Sequence, residues 1–154
     1  MQKTTKQNSG VYLLELFAKS PFSISAKNFI NHKFGKGYYY YSGSAQKNLS
    51  HRLARHIKKE KTIHWHIDHL TSHPDLLIKN IFIAESAGKS LECEFIDLLT
   101  GKFGLKVAVK NFGNGDCKIC VSHLLFSSKR LDHSHFISRY QSIVSLIPSS
   151  RFIF

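Results

Sequence analysis

Arg52 and His56 stand four residues apart in the stretch Leu49 to Lys59, where Leu49, Leu53 and Ile57 recur at i, i+4 and i+8. That spacing predicts a helix, with Arg52 and His56 sharing a face at the edge of its apolar stripe. A guanidinium holds two phosphate oxygens at once and stays charged, so Arg52 is the candidate phosphate clamp. His56 beside it could shuttle a proton or bind the same phosphate. Arg55, Lys58 and Lys59 occupy the other positions of the helix. They read as a solvated basic face that could track a nucleic-acid backbone.

The whole chain has the same bias. Its 154 residues hold 22 Lys and Arg against 10 Asp and Glu, so the net charge is 22 − 10 = +12. A small domain this basic points to a polyanionic partner, nucleic acid ahead of an anionic membrane surface. No run approaches a membrane span. The polar stretch Met1 to Ser9 lacks a signal-peptide core, and three cysteines are too few and odd in number for a disulfide framework. The expectation is a cytoplasmic protein.

These residues need elements to hold them. Gly10 to Phe17 reads as a buried strand, Phe22 to Phe34 as an extra strand or hairpin arm, and Tyr38 to Tyr41 as a second strand ended by Ser42-Gly43-Ser44. The helix from Asn48 or Ser50 follows. Ile63, Ile67 and Leu70 predict a second helix, Leu76 to Ala84 a strand, and Ser90 to Leu99 a helix. Phe112 to Cys120 is a loop, Val121 to Phe126 a last strand, and His133 to Ile147 a terminal helix. The order strand, strand, helix, helix, strand, helix predicts an α/β (layered α+β) domain with helices against a short sheet.

In this order, several tripeptides are similar to those of the GIY-YIG nuclease superfamily. Gly10-Val11-Tyr12 resembles its GIY element, Tyr41-Ser42-Gly43 its YIG element, and Asn48 to Arg52 its helix opening. His56 follows four residues later, and Glu92-Cys93-Glu94-Phe95-Ile96 resembles the later helix that supplies a metal-binding carboxylate. Gly37 to Ala45, Arg52 to His56, His64 to Asp68, and Asp116-Cys117 with Ser122-His123-Leu124 more closely resemble an uncharacterised branch, sometimes joined to endonuclease III-type repair glycosylases. The resemblance runs from about Gly10 to Phe126. The sequence departs from the pattern in an insertion around Phe22 to Phe34, in Ser42 where an aliphatic is usual, and in the wider spacing of Cys117 and Cys120.

The resemblance implies a nuclease domain over 10–126 with about three central antiparallel strands and flanking helices. Residues 127–154 would form a helical extension packed on it. The implied reaction is metal-assisted hydrolysis of a phosphodiester, DNA favoured over RNA. Tyr12 and Tyr41 would stand side by side on paired strands, with Tyr12 helping to activate the water. A phenol of pKa ~10 needs a nearby cation to act as a base at neutral pH. Glu92 would hold one Mg²⁺ or Mn²⁺, a hard cation suited to one carboxylate, waters and phosphate. Tyr12, Tyr41, Arg52, His56 and Glu92 form the implied site. Arg55, Lys58, Lys59, His64 and His66 would contact nucleic acid, and a protein partner could supply specificity.

Two strings offer other chemistry. His64 to His69 spells HxHxDH, the ligand string of metallo-β-lactamase-fold dizinc hydrolases, but that fold needs a larger chain and a preceding apolar strand, where Lys58-Lys59-Glu60-Lys61 stands here. Cys117, Cys120 and His123 are zinc-ligand types at plausible spacing, and Cys93 or a histidine could be the fourth for a structural Zn²⁺. Buried free thiols are the plainer reading of those cysteines. The rivals to a nuclease are a non-catalytic basic nucleic-acid-binding module of the same fold and a zinc hydrolase using the histidine string.

Overall fold

The computed structural model describes residues 8–114, 117–140 and 143–146. Gly10–Ala18, rich in strand formers, is β1 and lies in the middle of the sheet. Gly37–Ala45 is β2 and Leu76–Glu85 is β3, and both pair antiparallel with β1. Between β2 and β3 come α1 (Leu49–Ile57) and α2 (Asp68–Thr71). After β3 come α3 (Leu91–Gly101), β4 (Lys106–Val107), β5 (Leu124–Ser127), α4 (His133–Ser138) and β6 (Ile143–Leu146).

The sheet has six strands in the order β4-β5-β2-β1-β3-β6. The three strands foreseen are its centre, so the expected sheet was too small. A three-stranded core has two open edges of unpaired N–H and C=O groups. Here β5 covers the β2 edge and β6 covers the β3 edge.

Side chains alternate between the two faces. On one face Tyr12, Leu14, Leu16, Tyr39, Tyr41, Ile81 and Ile83 pack with Leu49 and Leu53 of α1 and with Ile67 and Leu70. On the other, Val11, Leu13, Tyr40, Phe82 and Ala84 pack with Phe95, Ile96 and Leu99 of α3 and Phe136 of α4. Helices thus cover both faces, a three-layer arrangement.

Three predicted elements differ. The terminal helix ends at Ser138, and β6 replaces its second half. Asp132 starts α4 by accepting the His135 N–H, but Ile143 and Val144 are β-branched and the edge of β3 offers them backbone partners. Residues 141–142 and 147–154 of the foreseen helix and extension, and Asp116 of the loop motif, lie outside the described residues. The second helix shrinks to Asp68–Thr71, because the Asp68 carboxylate accepts the N–H groups of His64 and Trp65 and turns the chain locally. The last strand begins at Leu124 rather than Val121. The 22–34 insertion is a loop closed by a Phe22–Phe34 bridge, with one 3-10 turn at Lys27–Phe29. Its Phe22, Ile24, Phe29 and Phe34 are buried against the α1 face.

Candidate functional site

β1 and β2 pair so that Tyr12 faces Gly43 and Leu14 faces Tyr41. Tyr12 and Tyr41 therefore stand diagonally on one face. The Tyr12 ring lies over Gly43, where an added Cβ would come within 2.7 Å of its Cζ and Oη. Gly113, at φ +72°, does the same for Tyr41, with a Cβ 2.6 Å from the ring.

α1 brings His56 beneath Tyr12. His56 is buried, and its Nε2 lies 2.8 Å from Tyr12 Oη. Its Nδ1 is buried with no hydrogen-bond partner. A buried N–H without a partner is rarer and costlier than a bare lone pair. This argues for the tautomer in which Nε2–H donates to Tyr12 Oη. Burial, reinforced by the charge of Lys61, holds the imidazole down to about 3, so it is neutral. Burial also pushes the Tyr12 phenol well above its ordinary value; Tyr41 and Glu92 act the same way and Arg52 opposes them. The Tyr41 phenol is raised for the same first reason, with Glu92 adding to it.

Arg52, one turn before His56, donates from Nη1 to the Ser44 carbonyl at 2.7 Å. Its guanidinium carbon sits 4.7 Å from the centroid of the Trp65 ring. This leaves a planar fork fixed at one corner with further donors unused by Ser44.

Glu92 comes from the first turn of α3 on the opposite side of the sheet. Ser42 and Ser44, two apart on β2, both face it. Ser42 Oγ donates to the Glu92 carbonyl at 2.8 Å, and Ser44 Oγ donates to Oε2. His123 Nδ1 lies 3.6 Å from Oε1. Tyr12, Tyr41, Arg52, His56 and Glu92 all line one cleft of about 330 Å³, together with His64, Trp65, His66, Lys89 and Asn114. Among the described residues lining it, Glu92 is the one acidic side chain.

The predicted nucleic-acid contacts divide. His64 and His66 line the cleft, His66 Nδ1 accepting the Gly113 N–H at 2.9 Å. Arg55 does not line it: its guanidinium bonds Asp68 at 2.7 Å and the Thr62 carbonyl. Lys59 Nζ donates to the His73 and Leu76 carbonyls, so its charge is tied to the fold. Lys58 is exposed on the helix exit, away from the cleft. The HxHxDH string does not assemble as a ligand set either. Burial would raise the Asp68 carboxyl, but the bonds from Arg55, Trp65 and His64 outweigh it and hold it below its ordinary value. That carboxylate is committed to the turn.

Residues 11–145 match the family described as Domain of unknown function DUF123. The chain belongs to the DUF123 family. No curated protein and no solved structure matches it. The DUF123 match contains every residue named around the cleft, so the site lies wholly within the family's domain.

Sequence reasoning on this DUF123 domain left out Lys89 and the supporting role of Ser42 and Ser44. Alternation on β2 could have placed the two serines together, opposite the tyrosines. Lys89 sits three residues before Glu92, just outside the helix, and nothing in its spacing marks it. In the same domain Cys93 Sγ, Cys117 Sγ, Cys120 Sγ and a nitrogen of His123 lie within 4.8 Å of one another.

Proposed function

We propose that this chain is a metal-dependent nuclease of the GIY-YIG type that hydrolyses phosphodiester bonds, with DNA as the favoured substrate. The observation that carries this reading is the convergence of Tyr12, Arg52, His56 and Glu92 on one cleft from three separate elements. The net charge of +12 adds a polyanion to the expected partners.

Glu92 suits one hard divalent cation, Mg²⁺ or Mn²⁺. Its Oε2 takes a single hydroxyl and its Oε1 has the more distant His123, which leaves lone pairs toward the cleft, and the space admits waters and a phosphate. Bound there, such an ion would neutralise charge on the phosphoryl oxygens and favour the ionised forms of a nearby phenol and water.

Arg52 takes the non-bridging phosphate oxygens with the donors that Ser44 does not use, and Trp65 keeps its plane fixed. Lys89 adds charge on the Glu92 side of the cleft. Tyr12 presents its oxygen to the attacking water. With the phenol proton released to solvent, His56 would donate to the resulting phenolate and stabilise it, and that oxygen would take the proton of the attacking water. Tyr41 closes the wall beside it.

The test is cleavage of end-labelled single-stranded, duplex and branched DNA and of RNA with Mg²⁺, Mn²⁺ or EDTA. Wild type is run beside Glu92→Ala and Arg52→Ala. Metal-dependent cutting that both variants lose is the expected result. Salt-sensitive binding with no cutting under any metal overturns the enzyme and leaves a binding module.

A further inference from the structure

Three sulfurs and one imidazole meet beside Glu92, and the cleft chemistry just described uses none of them as ligands. Cys93 comes from α3, while Cys117, Cys120 and His123 come from the loop that leads into β5. We propose that these four residues hold one structural zinc ion, and that this ion sets the position of Glu92 through His123.

The four groups converge closely enough to surround one ion. Four ligands about 2.0–2.3 Å from one ion lie ~3.4–3.8 Å apart. Cys93 Sγ and Cys117 Sγ are 3.4 Å apart, Cys93 Sγ and His123 Nε2 are 4.0 Å apart, and all four ligand atoms fall within 4.8 Å of one another. Cys93 and Cys120 are paired sulfur to sulfur in the structure, with Cα atoms 6.2 Å apart. A disulfide employs two of the four groups and gives Cys117 and His123 Nε2 no reason to converge. One ion employs all four.

The loop supports the same conclusion. The N–H groups of Ile119 and Cys120 both point at Cys117 Sγ, each at 3.4 Å. Two N–H donors on one sulfur stabilise negative charge there, as a thiolate ligand requires. Ile119 is 84% exposed and Val121 54% exposed, so this stretch has little apolar burial to hold it. A metal can supply such a segment with its folding energy.

His123 divides its two nitrogens. Nε2 faces the sulfurs, and Nδ1 faces Glu92 Oε1 at 3.6 Å. A metal-bound imidazole commonly directs its other N–H to a carboxylate. With Nε2 on zinc, Nδ1 must carry the proton and face Glu92. Cys93 also directly follows Glu92 in α3, so an ion on its sulfur fixes the backbone from which Glu92 projects. The functional meaning of this link rests on the nuclease reading, but the zinc site does not.

The experiment uses the full chain, purified under reducing conditions without chelator. Elemental analysis is expected to give one zinc per chain. Reduced, metal-stripped protein titrated with Co²⁺ is expected to show the thiolate charge-transfer and visible bands of a tetrahedral site, saturating at one equivalent and displaced by Zn²⁺. Cys117→Ser should weaken the charge-transfer band by about a third, and His123→Ala should lower zinc affinity by ~10–100-fold. Wild-type reduced protein that takes up neither metal, or a Cys93–Cys120 disulfide in a non-reduced peptide map of protein isolated without reductant, overturns the proposal. Zinc removal should raise the Mg²⁺ concentration needed for cleavage by ~10-fold or more. An unchanged Mg²⁺ requirement refutes the link to Glu92. Stoichiometric zinc in a protein that never cleaves overturns the nuclease and leaves the zinc site standing.

Discussion

Glu15 and Glu92 are two buried carboxylates with different degrees of completion. Glu15, fully buried in β1, accepts two N–H groups from Arg130 at 3.1 and 2.9 Å, the Tyr40 hydroxyl at 2.7 Å, and pairs with His133 Nε2 at 2.8 Å. Glu92 has one hydroxyl and a histidine at 3.6 Å, and it faces a cleft. A carboxylate whose lone pairs are filled by the fold has nothing left to offer a ligand. One whose lone pairs are partly filled is held in place and remains able to bind. Burial alone marks neither as functional; the count of satisfied lone pairs separates them.

The difference is testable in substitutions made in parallel. Glu92→Gln is expected to reduce cleavage by ~10³-fold or more, because it removes the cation's charge partner, with little change in the urea midpoint. Glu15→Ala is expected to cost roughly 3–5 kcal/mol in urea unfolding, since Arg130 and His133 lose their buried partner, while cleavage per folded molecule persists. A folded Glu15 variant without activity would break the contrast. The tyrosines sharpen it. Tyr12→Phe should lower the cleavage rate ~10²–10³-fold per folded molecule, with about 1–3 kcal/mol of stability lost through the unpaired His56, whereas Tyr40→Phe should cost about 1–3 kcal/mol of stability, through Glu15 and the Leu131 N–H, at unchanged rate.

The last contrast concerns pH. Burial holds His56 at about 3, against 6.5 in an unfolded chain. Between those values the unfolded chain binds more protons than the folded one. The contribution of His56 is therefore complete above about 6.5 and is lost as pH falls toward 3. His56→Gln removes that titration. Its stability deficit relative to wild type should narrow between pH 7 and pH 4, measured by urea midpoints. A constant deficit would mean that His56 titrates alike in both states.

Much of this was legible in the sequence where a period is short and local. The i, i+4 spacing of Leu49, Leu53 and Ile57 gave α1 and placed Arg52 and His56 on the cleft side. Alternation gave the central strands. What stayed hidden depends on pairing between distant segments. β6 forms because β3 has an open edge, and no local pattern in Ile143 to Leu146 states that. Lys59 read as a free charge, but its two acceptors lie 14 and 17 residues away. Glu15 read as part of an apolar strand, and its chief partner, Arg130, is 115 residues distant.

Trp65 is the one tryptophan in the chain. It stands in the cleft wall, 41% exposed, with Arg52 at 4.7 Å and Arg55 at 4.8 Å from its ring centroid. The tryptophan emission of the whole protein, excited where tyrosine does not absorb, is therefore the emission of its site. Any ligand that draws Arg52 off the indole alters the environment of that one fluorophore, so occupancy can be followed optically, in unlabelled protein, before any bond is cut.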